Sequence, residues 1–178
     1  MHAKVRTATL EDIPSLERLM KESMRELSRG YYDEAQTESA VQYIAVPDPE
    51  IVSDGTYFVV EAEGQLAGCG GWSRRRKLFT GTSDQEGFAG QWLDPAREPA
   101  RIRAMFVDPA FARRGIGLLI YKACEEAARA AGFTRFELMA TLPGVPFYRH
   151  LGFKVLEELD LTLPDGVVLG GARMQIHL

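Results

Sequence analysis

Two long segments of the chain place apolar residues at spacings of three and four, which is the pattern of an amphipathic helix. The first segment follows Thr9 and Asp12, which have the spacing of a capping box, and it ends at Gly30. The second extends from Gly115 to Ala131, and Gly132 supplies its C-terminal stop. Both segments are therefore predicted to be helices that pack one face on a core.

Other segments alternate apolar and polar residues, as half-buried strands do. Two of them, residues 56–62 and 65–75, are predicted to pair as a hairpin around Glu63-Gly64. Three glycines in the second strand of this hairpin favour a bend or bulge there. The other predicted strands are 4–7, 100–107, 134–141, 154–163 and 167–178.

Weaker patterns fill the rest of the chain. Short helices are predicted over residues 33–45 and 146–151, and a long loop rich in Gly, Asp, Gln and Pro over residues 79–100. The element order is then β-α-α-β-β-loop-β-α-β-α-β-β. This order predicts an α/β (α+β) fold built on a mixed sheet.

Composition narrows the class of protein. The 178 residues are 46% hydrophobic and 26% charged, which are ordinary globular proportions and favour one domain over residues 1–178. The formal net charge is only −4, so nucleic acid is not an expected partner. No apolar run has the length of a signal peptide or a membrane span. A cytoplasmic protein with no membrane partner is therefore expected, and a homodimer is compatible with these features.

Metal chemistry has no support in the sequence. Cys69 and Cys124 lie far apart without CxxC spacing, and the three histidines are scattered. We expect no bound metal, and we expect both cysteines to be buried as small hydrophobic residues.

The stretch FVDPAFARRGIG joins a predicted strand to the start of a predicted helix. The first N–H groups of a helix have no partner within it, and the helix dipole adds positive charge there, so a pyrophosphate binds well at this position. Gly115 and Gly117 would let the amides approach a phosphate, and Arg113 and Arg114 add positive charge. By itself, a GxG before a helix is as often only a tight turn.

A dinucleotide-binding fold is the nearest rival interpretation. Glu137 lies about 20 residues past the glycines, where a ribose-binding acid is expected in that fold. Against this, Ile120 occupies the third glycine position, and the gap from Val107 to Gly115 is too long for the tight first turn. A P-loop is excluded because GxxxxGK[ST] does not occur.

With FVDPAFARRGIG and a later FYRHLGF, the chain resembles the GNAT superfamily of acetyl-CoA-dependent N-acetyltransferases. The resemblance implies a mixed, mostly antiparallel sheet flanked by helices, whose central parallel strands, 100–107 and 134–141, splay apart after Val107. It implies acetyl-CoA (coenzyme A) as acyl donor and a primary amine, expected to belong to a small molecule, as acceptor. The implied donor-binding residues are Met105, Phe106, Val107, Ala112, Arg113, Arg114, Gly115, Ile116, Gly117 and Leu118.

The resemblance also assigns a proton donor and shows one departure. Tyr148 in FYRHLGF matches the general acid of the family, although an aromatic residue here is otherwise read as packing beside Phe147. Ala112 stands where the family usually has Gln or Arg, three positions before the first glycine, and Arg113 would take over that charge. The sequence identifies no general base, and a water chain is as compatible with it as any side chain.

Four arginines, Arg74, Arg76, Arg101 and Arg103, lie on strands near the expected acceptor entrance. One interpretation is a charged, solvated sheet edge. The other is that one of them binds the carboxylate or phosphate of an anionic acceptor. Period-two alternation places Arg101 and Arg103 on the same face as Met105.

Two alternative functions remain open at this level. A non-catalytic acyl-CoA-binding or sensor module on the same fold would share every donor-binding feature, and Tyr148 is what favours catalysis over it. A nucleotide-dependent oxidoreductase has less support, because the chain lacks the third glycine of the fingerprint described above.

Overall fold

The computed structural model describes residues 1–178. Helices α1 to α5 cover Ile13–Leu27, Glu34–Tyr43, Pro49–Ser53, Ile116–Ala130 and Val145–Leu151. Strands β1 to β7 cover Ala3–Thr7, Tyr57–Ala62, Gln65–Ser73, Ala100–Val107, Arg135–Thr141, Lys154–Thr162 and Val168–His177. The predicted long loop contains one irregular turn of 3-10 helix, Ser83–Phe88.

The strands form one seven-stranded sheet in the order β1-β2-β3-β4-β5-β7-β6. Every neighbouring pair is antiparallel except β4 and β5, which are parallel. The α/β fold expected from the element order is thus confirmed. So is the mostly antiparallel sheet with one central parallel pair that the resemblance implies.

A hydrophobic core lies on each face of the sheet. On one face, Ile116, Ile120 and Cys124 of α4 are buried against the strands. On the other, Leu16 and Met20 of α1 are fully buried. Fully burying an aliphatic side chain of this kind contributes about 1.5–3 kcal/mol. The apolar stripes read from the sequence therefore fix both helices to the sheet.

Local sequence signals explain the start of helix α1 and the turn between strands β2 and β3. The Thr9 N–H donates to Asp12 Oδ2 over 2.8 Å, which completes the expected capping box before α1. Glu63 and Gly64 have φ angles of 53° and 81°, as a two-residue hairpin turn between right-twisted strands requires.

Helix α3 is not predicted by the sequence patterns. Pro47 and Pro49 signal the end of α2, but Pro49 also occupies the first turn of α3, where no N–H donor is needed. The Glu50 N–H donates to Asp48 Oδ1 over 3.0 Å, so Asp48 caps this short helix.

Strand β4 contains a bulge opposite the glycines of β3. Cys69 pairs with Phe106 and Gly71 with Arg103, so Ala104 and Met105 together face a single residue of β3. Ala104 has a φ of 49°, in the left-handed region that alanine rarely adopts. The bulge expected in β3 lies at Ala67, the extra residue between the pairs Val60–Gly68 and Glu61–Leu66, and the bulge opposite Gly70 belongs to β4.

The parallel pair separates earlier than expected. Its only pairs are Ala100 with Phe136 and Arg101 with Glu137. The expected separation after Val107 is therefore wrong by several residues. Pairing thus ends at Arg101, and the bulge at Ala104 and Met105, which bends and twists the strand, lies beyond that point.

Candidate active site

The separation of β4 and β5 opens a cleft between the two strands. Its walls are residues 102–106 of β4 and 138–141 of β5, with Tyr148 from α5 and Phe79 and Thr80 from the long loop. Most of the lining is apolar. A ligand in this cleft would be shielded from water. It would also meet main-chain groups of β4 and β5, because the two strands no longer form hydrogen bonds with each other there.

The main chain of β4 presents alternate residues to this cleft. The Asp108 N–H donates to the Ala67 carbonyl of β3 over 2.9 Å. Because antiparallel strands alternate between residues that bond their neighbour and residues that face away, Phe106 is directed to β3. Val107 therefore directs its N–H and C=O groups away from β3, to the side of the cleft. Of the three residues expected to bind the donor through the main chain, Val107 faces that side, whereas Met105 lies within the bulge, where the regular alternation does not apply.

The start of α4 has the properties of an anion site. Gly115, at the N-cap, has a φ of 85°, and no side chain caps the helix. The first bond into the helix runs from the Leu119 N–H to the Gly115 carbonyl. The amides of Ile116, Gly117 and Leu118 therefore have no partner in the helix, and the dipole favours a negative charge beside them.

The two glycines of this motif have different reasons to be glycine. A Cβ on Gly115 would have no atom within 4 Å, so the reason for glycine there is its positive φ and not a lack of space. A Cβ on Gly117 would lie 2.9 Å from the ring of Phe147. Gly117 therefore lets α5 pack over the start of α4, and this contact connects the anion site with the helix that carries Tyr148.

The basic residues before α4 differ in their partners. Arg114 Nη2 lies 2.6 Å from Glu63 Oε1, and its guanidinium lies 5.0 Å from the ring centre of Phe111. Arg113 is exposed, has a φ of 60° and makes no ion pair. Arg113 is thus the cation that is free to meet an anion at the helix start, beside Ala112.

Tyr148 lies at the inner end of the cleft and is 8% exposed. Its ring packs against Phe147 and Phe153, with ring centres 5.3 and 5.5 Å away. Burial raises the pKa of Tyr148 above its ordinary value of 10.0, and the neighbouring Cys124 thiol adds to the rise. The hydroxyl therefore keeps its proton at neutral pH, as a proton donor must.

Of the four arginines expected near the acceptor, Arg103 alone lines the cleft. It is 2% exposed, and its Nη2 donates to Asp48 Oδ2 over 3.0 Å and to Thr80 Oγ1 over 2.9 Å. Arg101 lies outside, where its Nη1 is 3.4 Å from Glu137 Oε2.

The other two members of that set lie on the far side of the loop. Arg76 pairs with Glu98 over 2.7 Å. Arg74 stacks between Trp72 and Trp92, at 5.6 and 5.7 Å from their ring centres. The structure brings Arg103, Met105 and Phe106 together with Tyr148, and leaves Arg74, Arg76 and Arg101 outside this group.

The expected shared face of Arg101, Arg103 and Met105 is wrong. Met105 packs with the core beneath α4, whereas Ala104 and Phe106 pack with the core beneath α1. The bulge adds one residue to β4, which reverses the alternation after it.

No side chain with the properties of a base lines the cleft. The sixteen lining residues include no carboxylate and no histidine. Glu137 Oε1 is 3.0 Å from Arg173, and the other oxygen faces Arg101. His150 is exposed on α5, and Asp84 and Glu86 are exposed in the loop.

Sequence patterns did not identify Ala104, Asp48, Phe79 or Thr80 as part of this region. The neighbouring glycines of β3 are the only local signal, and they point to the bulge at Ala104. Phe79 and Thr80 reach the cleft only because the loop folds back on the sheet, a contact between distant parts of the chain.

No helix has the length and apolar composition needed to cross a membrane. No three His, Cys, Asp or Glu side chains lie together as metal ligands would.

Comparison with known protein families gives a match to the acetyltransferase (GNAT) family over residues 16–153. Among curated proteins, the chain is 43% identical over 53 residues to the uncharacterized N-acetyltransferase YjcF of Bacillus subtilis. That match covers 28% of this chain and 38% of the relative, which is well under two thirds of its length.

Solved structures share the whole fold. A GCN5-related N-acetyltransferase from Rhodopseudomonas palustris superposes with a TM-score of 0.75 at 18% identity, covering 100% of this chain and 97% of the other. The PaiA N-acetyltransferase of Thermoplasma acidophilum, in complex with coenzyme A, gives 0.69 at 18% identity and 100% coverage of both chains. YncA of Salmonella typhimurium, with its cofactor acetyl-CoA, gives 0.61 at 17% identity, covering 100% and 95%.

Proposed function

The chain belongs to the acetyltransferase (GNAT) family, and we propose that it transfers the acetyl group of acetyl-CoA to the primary amine of a small molecule. One observation carries the proposal. A parallel strand pair separates beside an uncapped helix start, and a protonated tyrosine lines the resulting cleft.

The residues present fit coenzyme A at two places. We assign the amides of a pantetheine arm, which needs both donors and acceptors, to the main-chain N–H and C=O groups of Val107 and Met105. The amides of Ile116, Gly117 and Leu118 suit a pyrophosphate. Arg113 adds the charge that Ala112 lacks. Coenzyme A in the PaiA structure and acetyl-CoA in the YncA structure support this assignment at the level of the fold.

When bound, the thioester supplies an acyl group with a thiolate leaving group. The net reaction forms a C–N bond, breaks the C–S bond and moves one proton from the amine nitrogen to the sulfur. Tyr148 is the proposed donor of the proton that sulfur receives. Because a phenol with a raised pKa is a weaker acid than a thiol, whose pKa is about 8.5, donation has to accompany C–S cleavage. We assign polarisation of the thioester carbonyl to the main-chain N–H of Met105 or Val107, on the side facing the cleft.

Water is the proposed acceptor of the amine proton. The cleft carries no carboxylate or histidine, and a primary amine of pKa about 10.4 is largely protonated at neutral pH. Arg103 lowers that demand, because a nearby guanidinium favours the neutral amine.

Arg103 is also the proposed contact for an acidic group of the acceptor. Its Nη2 is used by Asp48 and Thr80, and Arg103 is one of the residues that line the cleft. An acceptor carboxylate or phosphate there would meet a planar donor already held in place. Arg74, Arg76 and Arg101 are engaged elsewhere and have less support.

The test is a screen of amines, amino acids and peptides for release of the coenzyme A thiol from acetyl-CoA. We expect release with at least one amine and acetylation of that amine by mass spectrometry. A chain that is thermally stabilised by acetyl-CoA but releases no thiol with any amine would be a binding module instead. Stabilisation by NAD would favour an oxidoreductase, although a mostly antiparallel sheet gives that class little support.

A further inference from the structure

Tyr57, in the first position of β2, reaches across a strand to the bulge of β4. It is 1% exposed, and its hydroxyl donates to the Ala104 carbonyl over 2.6 Å. Strand β2 pairs with β3 and not with β4. The bond therefore links two strands that the sheet itself does not connect.

The sequence of β3 makes room for this contact. Gly71 is the partner of Tyr57 across the hairpin, and a Cβ on Gly71 would lie 2.6 Å from Cδ2 of the Tyr57 ring. Any larger residue would push the ring away from β4. The ring crosses β3 at this glycine, and its hydroxyl then meets the bulge.

The bulge needs such a partner. Ala104 holds a left-handed conformation that is unfavourable for an alanine, and its carbonyl accepts a hydrogen bond from Tyr57. An unpaired buried carbonyl would add to this cost. The Tyr57 hydroxyl satisfies that carbonyl, and burial raises the pKa of Tyr57 well above 10.0, so the hydroxyl remains a donor.

We propose that Tyr57 is a positioning residue for the acyl donor: it holds the β4 bulge, and the bulge turns the main chain of Met105 and Val107 towards the cleft. The inference rests on the proposed function, since those groups are the ones assigned to acetyl-CoA. Loss of the hydroxyl would loosen the bulge and weaken donor binding. The loss would leave the binding of the acceptor and the position of the proton donor Tyr148 largely unchanged.

The experiment compares Tyr57→Phe with Tyr121→Phe by calorimetric titration of acetyl-CoA. Both substitutions keep a buried ring and remove one hydrogen-bonded hydroxyl, but the Tyr121 hydroxyl bonds Glu125 on the same helix, over 3.2 Å. We expect the acetyl-CoA Kd to rise about 5- to 20-fold in Tyr57→Phe, since a lost buried hydrogen bond costs about 1–2 kcal/mol. In Tyr121→Phe it should stay within 2-fold of wild type.

A rescue variant separates positioning from general destabilisation. Glycine adopts a positive φ at no steric cost, so Ala104→Gly added to Tyr57→Phe should recover at least half of the lost affinity, in logarithmic terms. Equal Kd values for Tyr57→Phe and wild type, or equal losses in the two tyrosine variants, would overturn the positioning role alone. Absence of acetyl-CoA binding in the wild type would overturn the proposed function and this inference with it.

Discussion

Tyr148 has two environments in one side chain. It belongs to the core beneath α4 and it also lines the cleft. Phe147 and Leu151, on the same helix, are half-buried beside it. A role in packing and a proposed role in catalysis are therefore compatible at Tyr148. The contacts of its ring with Phe147 and Phe153 hold the side chain in a fixed position.

Replacing Tyr148 by Phe keeps the ring and removes the proposed proton donor. We expect kcat to fall by roughly ten to a thousand times, with the Kd for acetyl-CoA within a few-fold of wild type. Steady-state kinetics and calorimetry would measure the two quantities. Because the pKa of Tyr148 is raised above 10.0, wild-type kcat should show no loss from tyrosine ionisation up to pH 9. An unchanged kcat in the variant would remove Tyr148 from the mechanism.

Gly115→Glu should abolish most of the thermal stabilisation by acetyl-CoA. The new carboxylate would stand at the N-cap of α4, where a side chain has open space, and its negative charge would repel a pyrophosphate bound at this helix start. A matched control is Gly30→Glu, at the end of α1, where φ is 83° and the space is also open. In both variants a glutamate must adopt a positive φ that strains its backbone, so both should have a lower melting temperature than wild type.

Differential scanning fluorimetry with and without acetyl-CoA would distinguish them. Gly30→Glu should keep the full shift and Gly115→Glu should lose it. A full shift in Gly115→Glu would contradict the placement of the pyrophosphate at the start of α4.

At the scale of elements, β4 joins the two halves of the proposed site. Its first residues pair with β5, and its bulge then reverses which side chains face α1 and which face α4. Arg101 and Arg103 precede the bulge and Met105 follows it, so a pattern of period two describes only the first half of the strand. The bulge in β4 therefore decides which residues of the strand share a face with Arg103, and the proposed role of Arg103 depends on it.

Removing Arg103 should affect an anionic acceptor more than a neutral one. In Arg103→Ala we expect KM for an anionic amine to rise at least 5-fold more than KM for its neutral analogue, with the acetyl-CoA KM near wild type. Arg76→Ala is the control, because Arg76 pairs with Glu98 outside the cleft. Steady-state kinetics with matched acceptors would measure this.

Arg103→Ala also leaves the largely buried Asp48 with only Lys77, at 3.9 Å, as a cationic partner, a change that can cost several kcal/mol of stability. The double variant Asp48→Asn, Arg103→Gln removes both charges and keeps the cap of α3, so it should fold better with the same loss of preference. Equal KM increases for the anionic and neutral acceptors in both variants would leave Arg103 as a structural cation.

At the scale of the whole molecule, the two cores contain several ionisable thiol and phenol groups in apolar surroundings. Burial raises the pKa of Cys69 to about 12 from an ordinary value of 9.0, and it also raises the pKa of Cys124 and of Tyr57. These groups stay neutral in the folded protein after they would ionise in the unfolded chain. Their contribution to stability is complete below about pH 9 and is lost progressively as the pH rises from there.

The free energy of unfolding should therefore fall steadily between pH 9 and pH 11. Each such group contributes a slope of up to about 1.4 kcal/mol per pH unit once its unfolded form is ionised. Urea titrations at a series of pH values would measure the slope. Cys124→Ala should be less stable at pH 7, because it leaves a small cavity, yet it should show a shallower decline. A flat profile from pH 8.5 to 10.5 would contradict the assignment.

The sequence by itself determined most of the helices and strands, though not the short helix α3, and it identified the motif FVDPAFARRGIG. Helical periodicity, a capping box and a glycine stop are local properties, and α1, α4 and the Glu63-Gly64 turn follow from them. The boundaries of β4 coincide with its prediction, since residues 100–107 lie between a proline-rich loop and Asp108-Pro109. The motif FVDPAFARRGIG ends in an uncapped helix start because glycine, unlike Ser or Asp, has no side chain to satisfy those amides.

Only the tertiary structure decided which charges are free and where the sheet opens. Arg101, Arg103 and Arg114 look alike in sequence, yet Glu137, Asp48 and Glu63 are distant residues that pair with them. The bulge at Ala104 depends on Tyr57 as well as on the glycines of β3, and it sets the alternation of the residues that follow. Ion pairs and strand register are contacts between segments far apart along the chain, and no local pattern of residues encodes them.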